Sequence, residues 1–208
     1  MTNATVSKAR NAKLHAVQAE QAHAYRRRRI RGLILWAVGL TAVAAIIGVA
    51  MGNSAPNEGG QSKPAAPFTL TDTAGKTVSL ADYRGHNVLL YFNEGAGSGS
   101  CLVQMAQIEK QAAAFKAADI TVLPIVMNTR DQILLDMAAN KVATPFLLDD
   151  GTVSTAYGTL GKGMHEGLPG HSFVLVDATG TQRWYGEYPS MWMDPTQLLA
   201  KATSILAS

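Results

Sequence analysis

The chain has 208 residues, enough for one domain of ordinary size plus an extra segment, and short for two domains. At 47% hydrophobic, 16% charged and 7% aromatic it is globular in composition, which excludes a disordered chain, a collagen-like repeat and a coiled coil. Its single cysteine excludes an intrachain disulfide and a multi-cysteine zinc site. The net charge of +3 is unevenly spread: residues 1–31 carry eight Lys/Arg against Glu20 alone, and the remainder is acidic overall. Basicity confined to one terminus argues against a nucleic-acid-binding domain.

From Gly32 to Met51 no residue is charged, and the run GLILWAVGLTAVAAIIGVAM contains one polar residue, Thr41. As a helix it would span roughly 30 Å, the thickness of a hydrocarbon core. Arg26–Arg29 and Arg31 stand directly before it, so positive charge is expected to hold the N-terminus in the cytoplasm and leave the rest outside. The apolar run is longer than that of a signal peptide, which favours an uncleaved anchor, although Gly48-Val49-Ala50 has the small-x-small form of a cleavage site. The expected organisation is a basic cytoplasmic segment over 1–31, a transmembrane helix over 32–52, a flexible linker over 53–67 and a folded domain over 68–208. NSAPNEGGQSKPAAP, with three prolines and adjacent glycines, reads as tether rather than structure. His15 and His23 read as solvated.

The domain opens with a hairpin, Phe68–Leu70 and Thr77–Leu80, around Asp72-Thr73-Ala74-Gly75. VLLYF at 88–92 is a buried strand. Leu102, Met105, Ile108, Ala112 and Phe115 recur at helical spacing, and ITVLPIV at 120–126 is a second buried strand. A helix over 131–140, short elements at 146–148 and 154–157, and strands at 173–176 and 181–185 follow. Asp194-Pro195 starts a last helix through Leu206. Apolar strands alternating with helices give an α/β class with a central sheet covered on both faces.

This order of elements resembles the thioredoxin-like fold, in its branch of peroxiredoxins and membrane-tethered thiol-disulfide oxidoreductases. PFTLTDTAGKTVSLADYRGHNVLLYF is similar to the opening of that family, EGAGSGSC lies where it places its redox loop, and LPGHSFVLVDATGTQRW is similar to its later hairpin. The Cys-x-x-Cys of thioredoxin-type reductases is broken, because Ser98 stands at the first cysteine. Ser98 and Cys101 match the Thr-x-x-Cys half of the peroxiredoxin motif, while Glu94 occupies its proline and no partner arginine is legible. Pro169 precedes the position of the family's cis-proline by one residue, and Gly170 occupies it.

The resemblance implies a one-cysteine peroxiredoxin-like oxidoreductase in which Cys101 attacks a peroxide or disulfide, Ser98 orients it and His171, or less directly His165, lies nearby. No cofactor or metal is implied. The partner would be an external thiol reductant or a cysteine of another protein. A thiol in the first turn of a helix meets unpaired N–H groups, which are expected to lower its pKa below about 8.5. Two alternatives stay open: Cys101 as a small buried hydrophobe in a degenerate fold serving as an interaction module for an envelope partner, and a soft-metal site using Cys101 with Met164, His165, Met191 or Met193. The string Gly95-Ala96-Gly97-Ser98-Gly99 does not fit a nucleophile elbow in register. Glu94 is either a solvated loop acid or part of the thiol site.

Overall fold

A computed structural model describes residues 30–49, 55–163 and 165–208. The basic segment up to residue 29, with His15 and His23, lies outside the described residues, as does Met164. Two bodies are described, each by itself. The first is helix α1, Ile30–Val49, with a mean hydropathy of 2.3 and side chains exposed, long and apolar enough to cross a membrane.

The second body is built on an eight-stranded sheet in the order β1-β8-β7-β4-β5-β6-β2-β3. Its strands are β1 (Asn57–Pro64), β2 (Thr69–Asp72), β3 (Thr77–Ser79), β4 (Asn87–Phe92), β5 (Ile120–Val126), β6 (Leu147–Leu148), β7 (Ser172–Val176) and β8 (Thr181–Glu187). The helices are α2 (Gly99–Lys110), α3 (Ala112–Ala117), α4 (Arg130–Asn140), α5 (Thr152–Ala156) and α6 (Pro195–Leu206). β4, β5 and β6 are parallel neighbours, while β7 runs antiparallel to β4 and β8. The α/β class and thioredoxin-like order expected from the sequence are present.

Side chains alternate across the two central strands. Leu89, Tyr91, Phe173 and Leu175 enter one core together with α2, α4 and α6, and Val88, Leu90, Phe92, Val174 and Val176 enter the other with Phe68, Val153 and Tyr157. Leu102, Met105 and Ile108 form the inward stripe of α2, as their spacing predicts, and Cys101 is buried beside them. The stripe does not run on as one helix. The chain turns at Gln111, and Phe115 reaches the same core from α3.

The expected tether is where sequence and structure differ. Residues 57–64 form β1, antiparallel to β8, with Gly60 opposite Trp184 and an irregularity between Gly60 and Lys63. Glu58 fastens this strand by accepting from the Tyr188 hydroxyl and pairing with Lys201, whose ammonium lies 5.4 Å above the Trp184 ring. The reason is that a ladder needs backbone N–H and C=O groups, which glycine supplies as well as any residue. Pro64 closes the strand at its end, where proline is tolerated.

Candidate active site

The segment between β4 and α2 is a tight loop fixed at three points. Gly95 has φ +70, and a side chain there would run into Asn128 and Val126, so this turn requires glycine. Asn128 Oδ1 accepts from Ala96 N–H at 2.8 Å, and Asp136 Oδ2 of α4 accepts from Gly97 N–H at 2.7 Å. The loop delivers the chain into α2 with Ser98 as the N-cap and Cys101 as the third helical residue.

A serine N-cap ordinarily uses its hydroxyl on the backbone N–H of the second or third residue. Ser98 does not. Its hydroxyl donates instead to Cys101 Sγ at 3.2 Å, while its carbonyl accepts from Cys101 N–H at 3.1 Å. On the other side of the sulfur stands His171, one residue before β7, with Nδ1 3.8 Å from Sγ. The three expected residues are therefore brought together. Tyr91 of β4 completes the group, its hydroxyl lying 3.2 Å from both Cys101 O and His171 Nδ1. The His171 ring meets Tyr91 and Phe173 edge-on at 5.0 and 5.7 Å.

Burial governs the electrostatics. Cys101 is 0% exposed and His171 1%. Loss of water pushes the Cys101 thiol above its ordinary value, against the Ser98 hydroxyl, the Glu94 and Gly95 amides and the Tyr91 hydroxyl, which favour the thiolate. The expectation of a thiol lowered by the helix start is thus corrected: desolvation outweighs the hydrogen bonds that favour the thiolate. Burial also lowers His171 to about 3, so its imidazole is neutral near pH 7. No lysine or arginine contributes to either shift.

The remaining candidates are placed as follows. Glu94 is no solvated acid: it is 1% exposed, its Oε2 lies 3.1 Å from His165 Nδ1, and its Oε1 accepts from His165 N–H at 3.3 Å. His165 serves Glu94 rather than the sulfur. No cis peptide occurs among the described residues, and Pro169 lies in an isolated bridge to Leu160. Met191 and Met193 pack against the core that contains Cys101. Among the described residues no group of three or more His, Cys, Asp or Glu could hold a metal. Tyr91 was missed by the sequence reading, though a tyrosine in a buried strand must find a partner for its hydroxyl. Gln104 was also missed; it is fully buried in α2 and clasps the backbone of Met193 through both ends of its amide.

Residues 62–184 match the AhpC/TSA family. The chain belongs to that family. A Mycobacterium tuberculosis H37Rv protein provisionally named peroxiredoxin Rv2521 is 35% identical over 99 residues, an alignment covering 47% of this chain and 63% of the relative. Peroxiredoxin Bcp of Escherichia coli K12 is 31% identical over 124 residues, covering 56% of this chain and 78% of the relative. Among solved structures, the reduced 2-Cys peroxiredoxin of Plasmodium vivax aligns with a TM-score of 0.62 at 19% identity, over 70% of this chain and 95% of that one. AhpC of Enterococcus faecalis aligns with a TM-score of 0.63 at 15% identity, over 70% and 92%. At these identities the structures speak for the fold alone.

Proposed function

We propose that this AhpC/TSA-family chain is a one-cysteine thiol peroxidase, held at a membrane by α1 with its domain on the extracytoplasmic side. The observation that carries the reading is the Ser98–Cys101–His171 cluster at the start of α2, in a chain whose named relatives are peroxiredoxins. Cys101 attacks a peroxide oxygen, Ser98 holds the sulfur with a hydrogen bond, and neutral His171 takes the thiol proton. With one cysteine in the chain, the sulfenic acid passes to an external thiol or to a cysteine of another protein. The apolar length of α1 and the arginines before it support the topology.

The test is the rate at which the full-length chain reacts with hydrogen peroxide, followed by intact mass. The expected result is oxidation orders of magnitude faster than that of free cysteine, with one added oxygen on Cys101 that excess thiol reverses. A rate equal to that of free cysteine overturns the peroxidase. A second reading is favoured by the burial of Cys101 and the upward push on its thiol: a fold kept as an interaction module. It requires the slow rate, and a partner that stays bound when Cys101 is replaced.

A further inference from the structure

Two walls stand around the Cys101 sulfur. One is the loop after β4, where each backbone N–H has a partner. Those of Glu94 and Gly95 hydrogen-bond the sulfur, and those of Ala96 and Gly97 are taken by Asn128 and Asp136. That of Ser98 turns back to Gly95 O at 3.0 Å. The other wall is His171, with Nδ1 3.8 Å from Sγ. The chain reaches His171 through the stem of a narrow hairpin. Gly161 N–H donates to Leu168 O and Gly170 N–H to Thr159 O, both at 2.9 Å, with the Leu160–Pro169 bridge between them. His171 follows Gly170 directly.

One side chain fastens the two walls together. Glu94 and His165 are 71 positions apart in the chain, yet Glu94 Oε1 accepts from His165 N–H at 3.3 Å and Oε2 lies 3.1 Å from its Nδ1. Gly163 lies against the same carboxylate, so closely that a side chain there would strike Oε1 and press on the Gly170 backbone. The Glu94 side chain is 1% exposed, while the His165 ring remains 64% exposed. A carboxylate is costly to bury unless its oxygens are hydrogen-bonded, and an apolar side chain would serve packing alone. An acid here acts as a fastener.

We propose that Glu94 is a positioning residue for Cys101: clasped by His165, it locks the cysteine loop to the hairpin that leads into His171 and so holds both walls on the sulfur. The inference rests on the peroxidase reading, which gives the sulfur its task. The clasp acts through the backbone. While it is closed, the N–H groups of Glu94 and Gly95 stay aimed at Sγ, where hydrogen bonds favour the thiolate over the thiol. Once it is opened, residue 94 is free to turn, and burial pushes the thiol up with less to oppose it. The bond from the Ser98 hydroxyl does not depend on Glu94 and stays in either case.

The test titrates the Cys101 thiolate by its ultraviolet absorbance in the full-length parent, Glu94→Ala and Glu94→Gln. The Cys101→Ser form of each is the blank for the six tyrosines. Glutamine keeps an oxygen for the His165 N–H and offers an amide donor to Nδ1, so the Glu94→Gln midpoint is expected to match that of the parent. Glu94→Ala opens the clasp, and its midpoint is expected to move to higher pH. In parallel, oxidation by hydrogen peroxide near neutral pH is expected to slow about tenfold in Glu94→Ala and less than about twofold in Glu94→Gln, as the loss of hydrogen bonds to a charged sulfur implies. If Glu94→Ala fails to fold, Glu94→Met fills the space without a polar end and gives the same comparison. A midpoint that stays or falls in the unclasped variant overturns the proposal. So does a Glu94→Gln midpoint that moves as far as that of Glu94→Ala, which would tie the shift to the lost charge. A parent that reacts no faster than free cysteine overturns the peroxidase reading, and the midpoints still decide the clasp.

Discussion

Replacement of Cys101 by serine is expected to bring peroxide consumption by the full-length chain, measured with excess thiol reductant, down to the buffer background. The loss should be on the order of a thousandfold or more, because a hydroxyl oxygen cannot accept a second oxygen as sulfur does. The substitution is nearly isosteric, and Ser98 and Tyr91 keep groups to bond, since a serine hydroxyl can take the place of the thiol and Tyr91 also meets the backbone carbonyl of residue 101. The melting temperature of the variant should therefore stay within about 4 °C of the parent, the shift that a lost interaction of about 1 kcal/mol produces in a domain of about 150 residues. Eight methionines offer peroxide another target, and intact mass separates them: their oxygen adducts persist after thiol treatment, whereas a sulfenic acid does not. Turnover that survives in the serine variant would remove Cys101 from the chemistry.

Acid should weaken the folded domain through His171. Its imidazole is lowered from 6.5 to about 3 by burial, so between those values the unfolded chain binds a proton that the folded chain does not. Stability rises with pH wherever the unfolded state holds more protons; the contribution is complete above about pH 6.5 and declines as the pH falls toward 3. Over the two units from pH 6.5 to 4.5 the loss is about 2–3 kcal/mol. Urea unfolding of the parent and of His171→Gln at the two pH values checks this. The other titratable groups are common to both proteins, so the difference between the two pH dependences isolates the histidine. Equal dependences would mean that the ring is charged or solvated in the fold.

The parts of this site legible in the sequence were those with local causes. Cys101 and Ser98 lie three residues apart at a helix start, and His171 sits beside a strand written FVLV, so pattern and resemblance found them together. Tyr91 was hidden because VLLYF reads as one continuous apolar run, which does not say which residues face which layer. Glu94 was misjudged for a different reason. The residues that bury it come from the stretch around Gly163 and His165, some seventy positions away, and no local pattern carries such a contact. The thiol pKa was misjudged because its burial is a tertiary property: a sulfur with no exposed surface pays more for losing water than the hydroxyls of Ser98 and Tyr91 and the amides of Glu94 and Gly95 return.

β1 makes the outermost ladder of the domain from chain that the sequence pattern assigns to the tether. Backbone hydrogen bonds carry no address, so what selects this strand for β8 is covalent attachment, which keeps it at a high effective concentration beside its slot. A fragment begun at Phe68 would leave β8 with an open rim lying over Trp184, and a rim of that kind recruits whatever extended segment is near, including one from a second copy. The eight residues from Asn57 to Pro64 thus take up the β8 rim, and the edge they present in its place carries an irregularity between Gly60 and Lys63 and a closing proline, features that discourage a further strand.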